Sequence, residues 1–145
     1  MNVAKLLENK GSVVWSVDPN LTVFNAIKLM DEKGIGALAV IDQGRLAGIL
    51  SERDYARKVV LRDRSSKDTL VKEIMTRDVY YAEPLMSIQD CMVIMTKHRI
   101  RHLPVVYQER LVGMVSLGDV VREIIEEQKI QIEHLEHTIS WGESY

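Results

Sequence analysis

The sequence matches itself. Shifted by 65 positions it aligns without a gap from Val14 to about Val60. Val14 meets Val79, Pro19 meets Pro84, Met30 meets Met95, Leu38 meets Leu103, Val40 meets Val105 and Leu46 meets Leu111. Further pairs are conservative, such as Val23 with Ile88 and Ala26 with Cys91. One gapless doubling of this kind means two copies of a supersecondary unit, not a solenoid of many short repeats. The 145 residues suffice for two such units sharing a real core.

Both halves read in the same order. A short β-prone run (residues 13–17, then 79–82) ends at an acid–proline pair, Asp18-Pro19 or Glu83-Pro84. Thr22 or Ser87 then caps a helix. Its apolar positions are Val23, Ala26, Ile27 and Met30, or Ile88, Cys91, Met92 and Met95, spaced by three and four. An apolar strand (37–41, 103–106), a turn and a second strand (45–50, 110–115) follow, and then another helix. The expected fold is α/β, or α+β in other schemes: two β-α-β-β-α units. A single unit would leave a sheet face bare, so the two are expected to pack through their sheets with pseudo-twofold symmetry. The expected boundaries are 1–62 for the first unit, 63–70 for an exposed linker, 71–128 for the second unit and 129–145 for a helical extension and tail.

The entry to each last helix carries one motif twice, Gly48-Ile-Leu-Ser-Glu-Arg-Asp54 and Gly113-Met-Val-Ser-Leu-Gly-Asp119. The glycine permits close backbone approach. The serine hydroxyl serves either the orphan amides of a helix start or a ligand oxygen. The aspartate lies one turn on, where a carboxylate accepts two hydroxyls such as those of a ribose. Ser-x-x-Asp is also close to a capping box, so a purely structural reading stands beside the ligand one.

Bulk properties exclude several classes. Hydrophobic residues make up 46% and charged ones 28%, with a net charge of −2, which argues against general nucleic-acid binding. No apolar run has the length of a membrane span, and the N-terminal stretch lacks a signal-peptide pattern. Cys91 is the only cysteine, so no disulfide forms within the chain; a cytoplasmic location is expected. There is no nucleophile–base pair, no metal quartet and no Walker-type loop, so no catalysis is expected.

With Arg99-Ile-Arg-His-Leu-Pro-Val105, and Val71-Lys-Glu-Ile-Met-Thr76 opening the second unit, the pattern resembles the cystathionine-β-synthase (CBS) domain. That family occurs in tandem pairs called Bateman modules. The resemblance runs from about Val3 to Ile125. It implies a regulatory module that binds adenosine nucleotides (AMP, ADP, ATP, or NAD(H)) or S-adenosylmethionine in clefts between the units. Carried over by position, Asp54 and Asp119 hold the ribose hydroxyls, and Ser51 and Ser116 help fix ribose or phosphate. Backbone near Val17 and Ala82 meets adenine, and Ile35 and Ile100 pack on its ring. The same reading implies an energy or redox sensor, with an unknown regulated protein as partner. The alternative is a structural or interaction protein with vestigial clefts.

The copies differ just before the apolar strand. The second has Arg99, Arg101 and His102 where the first has Gly34, Gly36 and Ala37. Guanidinium forks and an imidazole suit phosphate oxygens. The expectation is two unequal clefts, one holding phosphate through Arg101 and His102, the other borrowing charge from Arg53, Arg57 or Lys58. A solvated, cation-rich helix end is the competing account of the Arg99–His102 group. His134 and His137 stand three apart but lack a third ligand, so no metal is expected. Cys91 sits on the apolar helix face as a structural thiol.

The last helix is expected to run on from Leu117. Val121, Ile124, Ile125, Gln128, Ile132, Leu135 and Ile139 form a stripe that outlasts the repeat. A helix that long cannot pack wholly on its own small unit, so a homodimer is expected. Trp141 and Tyr145 have no assigned place.

Overall fold

The computed structural model describes residues 1–11 and 13–143, with side chains up to residue 137. Ile139, Trp141 and Tyr145 therefore lie outside the described side chains. In chain order the elements are α1 (Val3–Lys10), β1 (Ser16–Val17), α2 (Val23–Lys33), β2 (Ala37–Asp42), β3 (Arg45–Ser51), α3 (Glu52–Lys58), a 3-10 turn at Val60–Arg62, α4 (Val71–Ile74), α5 (Ile88–His98), β4 (His102–Tyr107), β5 (Arg110–Ser116) and α6 (Leu117–Glu143).

Local chemistry sets these limits. Thr22 and Ser87 accept the N–H of Asn25 (3.3 Å) and Asp90 (3.0 Å), starting α2 and α5. Both helices stop at a left-handed residue, Gly34 (φ 64°) in one copy and Arg99 (φ 55°) in the other. β2 and β3 form an antiparallel hairpin, as do β4 and β5. Each hairpin has its register irregularity at the same place, Val40/Ile41 and Val105/Val106.

The first sheet has order β1-β2-β3 and the second β4-β5. The strand expected at 79–82 is reduced to one parallel bridge, Ala82 with Val105. The reason is a single residue. In the first unit the N–H of Ala39 donates to the carbonyl of Trp15. Its counterpart in the second unit is Pro104, which has no N–H to give.

Two cores result, and the flanking helices are exchanged between them. Val3, Leu6 and Leu7 of α1 lie with Ile88, Cys91, Met95 and Leu103 of the second unit. Val71, Ile74 and Met75, in and just after α4, lie with Val23, Met30, Leu38 and Leu50 of the first. The docking is the same in both places: Val3 and Ala4 donate to the carbonyls of Met86 and Pro84, and Val71 and Lys72 donate to those of Leu21 and Pro19. Boundaries drawn in chain order, 1–62 and 71–128, therefore cut across the packing. Burying each of these aliphatic side chains contributes up to about 1.5–3 kcal/mol, enough to hold a short terminal helix in place.

α6 begins on the second core through Val120, with Leu117 and Ile124 packed against it. Glu127 pairs with the N-terminal amine of Met1 at 3.0 Å. From residue 128 to residue 137 every side chain is exposed.

Candidate functional site

The motif residues form capping boxes in both units. Ser51 Oγ accepts the N–H of Asp54 at 3.2 Å, while Asp54 Oδ2 accepts the N–H of Ser51 at 3.0 Å. Ser116 and Asp119 repeat this at 3.1 and 2.9 Å. Both aspartates are 7% exposed. Each capping box holds its carboxylate rigidly and leaves Oδ1 free of the cap.

What meets the remaining carboxylate surface differs. Asp54 Oδ1 accepts Thr76 Oγ1 at 3.1 Å and pairs with Lys58 Nζ at 3.0 Å. Thr76 is fixed there because its N–H and carbonyl both bond to Ile49. Asp119 instead lies between two cations: Lys10 Nζ is 2.5 Å from Oδ2, and Arg122 donates to Oδ1 at 2.6 Å. Burial pushes the Asp119 carboxyl up, but Lys10 and the Ser116 amide outweigh it and hold the group below the ordinary aspartate range.

A cleft of about 760 Å³ opens on Asp54. Ile35, Gly36, Ala37, Ser51 and Arg53 line it from the first unit, and Ile100, Arg101 and His102 from the second. The segments before β2 and β4 thus converge, and do not serve one cleft each as expected. They meet where the units join: a Cβ placed on Gly36 would lie 3.5 Å from His102 Cε1. Arg53 crosses the same junction and donates to the carbonyl of Arg99 at 2.6 Å. Glu52, Ile49 and Thr76 also line this cleft without having been anticipated. Of the other cations considered, Lys58 is engaged with Asp54 and with the carbonyl of Ile74.

His102 is half-buried. Burial lowers its pKa, Lys10 and Arg101 lower it further, and Asp119 opposes them. The imidazole therefore tends toward the neutral form and can take a proton if an anion arrives.

A second, smaller cleft of about 360 Å³ opens on Asp119, lined by Leu6, Asn9, Lys10, Arg122 and Glu123. Ser116 holds Asp119 in its cap but does not line this opening. Val17 and Ala82 line neither cleft. Both side chains are buried, and the N–H and carbonyl of Ala82 bond to Pro104 and Val106. Among the described residues no group of three or more His, Cys, Asp or Glu is placed to hold a metal. No helix among them is long and apolar enough to cross a membrane.

A profile of the CBS domain matches residues 11–61 and 71–126. The chain is 40% identical over 137 residues to the mitochondrial CBS domain-containing protein CBSX3 of Arabidopsis thaliana, covering 91% of this chain and 66% of that protein. It spans just under two thirds of that relative's length. Among solved structures, the protein with CBS domains from Burkholderia ambifaria MC40-6 is 52% identical, with a TM-score of 0.84 over 88% of this chain and 96% of that one. The CBS domain pair of protein MJ0100, solved in complex with 5′-methylthioadenosine and S-adenosyl-L-methionine, is 26% identical with a TM-score of 0.77, covering 88% and 98%.

Proposed function

The chain belongs to the CBS domain family, as a tandem pair, and we propose that it is a non-catalytic regulatory module that binds an adenosine nucleotide, AMP, ADP, ATP or NAD(H), between its units. The observation that carries this reading is the cleft on Asp54. It combines an apolar slot at Ile35 and Ile100, a rigid carboxylate, and the cations Arg53 and Arg101 with the titratable His102. Adenine asks for the first, ribose hydroxyls for the second and phosphate for the third. The ligands of MJ0100 are adenosine compounds, which supports the nucleoside part. As a sensor of energy or redox state, the module acts on a partner protein through differential affinity between two shapes. We place its action in the cytoplasm, in keeping with one free, buried cysteine. It acts as a homodimer, a reading supported by the exposed stripe of Val121, Ile125, Ile132 and Leu135 on α6.

One observation favours a second reading, an interaction protein with vestigial clefts. Asp54 and Asp119 already have cationic and amide partners within the chain. Calorimetric titration of the ligand-stripped protein with AMP, ATP, NADH and S-adenosylmethionine separates the two. Saturable binding of at least one is expected; silence from all four in folded protein would overturn the nucleotide reading in favour of the scaffold.

A further inference from the structure

The two motif carboxylates look alike in sequence, yet their surroundings are built differently. In the first unit the chain leaves α4 at Met75 and runs beside β3. Thr76 then supplies two neutral donors: its N–H bonds to the carbonyl of Ile49 at 2.9 Å and its hydroxyl to Asp54. In the second unit α1 continues for another turn beyond Leu7. The counterpart of Ile49 is Met114, and its carbonyl accepts Lys10 Nζ at 2.8 Å. The same ammonium reaches Asp119. One cation therefore stands where the first unit has an amide and a hydroxyl.

This substitution has a consequence for binding. An uncharged nucleoside that takes Asp119 with its ribose hydroxyls displaces the ammonium from its carboxylate and leaves it the neutral Met114 carbonyl alone, with no anion in return. A phosphorylated one brings an anion to the mouth of the same cleft, where Lys10, only a third exposed, and Arg122 can both turn to it. Both cations then keep an anionic partner, and Asp119 keeps the Ser116 N–H and gains the ribose hydroxyls. The difference between the two cases is one charge-assisted hydrogen bond, worth roughly ten- to a hundredfold in affinity. From this we infer that Lys10 selects the ligand of the Asp119 cleft: the cleft prefers anionic adenosine compounds over neutral ones, because Lys10 passes from the carboxylate to the phosphate as the ligand seats. The inference rests on the reading of Asp119 as a ligand carboxylate. It adds a residue outside the repeated motif, and a coupling between occupancy of the second cleft and the end of α1, just before Gly11.

The test is titration with AMP and adenosine, in protein carrying Asp54→Ala so that only the Asp119 cleft is read, with Lys10 intact, Lys10→Met or Lys10→Arg. With Lys10 intact, AMP is expected to bind at least roughly tenfold tighter than adenosine. Lys10→Met should shrink that ratio by at least roughly tenfold, partly by improving adenosine, and Lys10→Arg should keep it. An unchanged ratio in Lys10→Met overturns the selector role while leaving nucleotide binding intact. Binding by the unmodified protein that vanishes entirely with Asp54→Ala also overturns it, since the second cleft is then no site. Absence of binding in the unmodified protein overturns the inference together with the function it rests on.

Discussion

Asp54 Oδ2 and Asp119 Oδ2 each accept the N–H of the serine three positions earlier, while each Oδ1 faces a cation. The capping and ligand readings of Ser-x-x-Asp are therefore not rivals. A cap locks the carboxylate's rotamer and so prepays the ordering that a ligand would otherwise cost. His102 is the titrating residue at this scale. Burial holds its pKa below the ordinary 6.5 or so, with Lys10 and Arg101 adding to the shift and Asp119 opposing it. A lowered folded-state pKa means that stability is complete above that ordinary value and is lost as pH falls through the folded value, because the unfolded chain takes the proton first. His102→Gln should flatten the fall in stability on the acid side of that ordinary value, followed by urea midpoints. A slope identical to that of the unmodified protein would assign the acid sensitivity to another group.

At the scale of elements, the motif glycines act on packing. Gly48 lies under the segment that leaves α4: a Cβ there would sit 2.6 Å from the Thr76 carbonyl oxygen and 3.0 Å from Met75 Sδ. Gly113 lies under α1, and its Cβ would meet the tip of Leu7 at 2.6 Å. A backbone oxygen tied into a two-bond bridge cannot yield, whereas a leucine tip can rotate. Gly48→Ala should therefore cost about 1–3 kcal/mol, and Gly113→Ala less, in chemical denaturation. A larger loss for Gly113→Ala would show that α1 is the tighter crossing. Pro104 acts at the same scale: one missing N–H reduces a strand of the second unit to a bridge, so the repeat is more regular in sequence than in its sheets.

At the scale of the whole molecule, α1 and α4 are exchanged, so each core is built from chain segments far apart in sequence. α6 carries an exposed apolar stripe. Val121, Ile125, Ile132 and Leu135 are 36–58% exposed. With Gln128 they alternate by four and three along one seam, the spacing of a helix pair. Ile132→Glu with Leu135→Glu should turn a dimer into a monomer in sedimentation or size exclusion, with the fold retained by circular dichroism. An unchanged mass would remove α6 from the interface. Apolar spacing, caps and the gapless doubling were enough to read two units, both hairpins, the long last helix and the motif carboxylates, because each depends on near neighbours in the chain. The sequence could not say which unit each flanking helix joins, nor that Gly36 and His102 share one cleft. Nor could it say that Lys10, outside the repeat, reaches Asp119. These depend on how two similar surfaces meet, and contacts between residues as far apart as 10 and 119 leave no local periodicity to read.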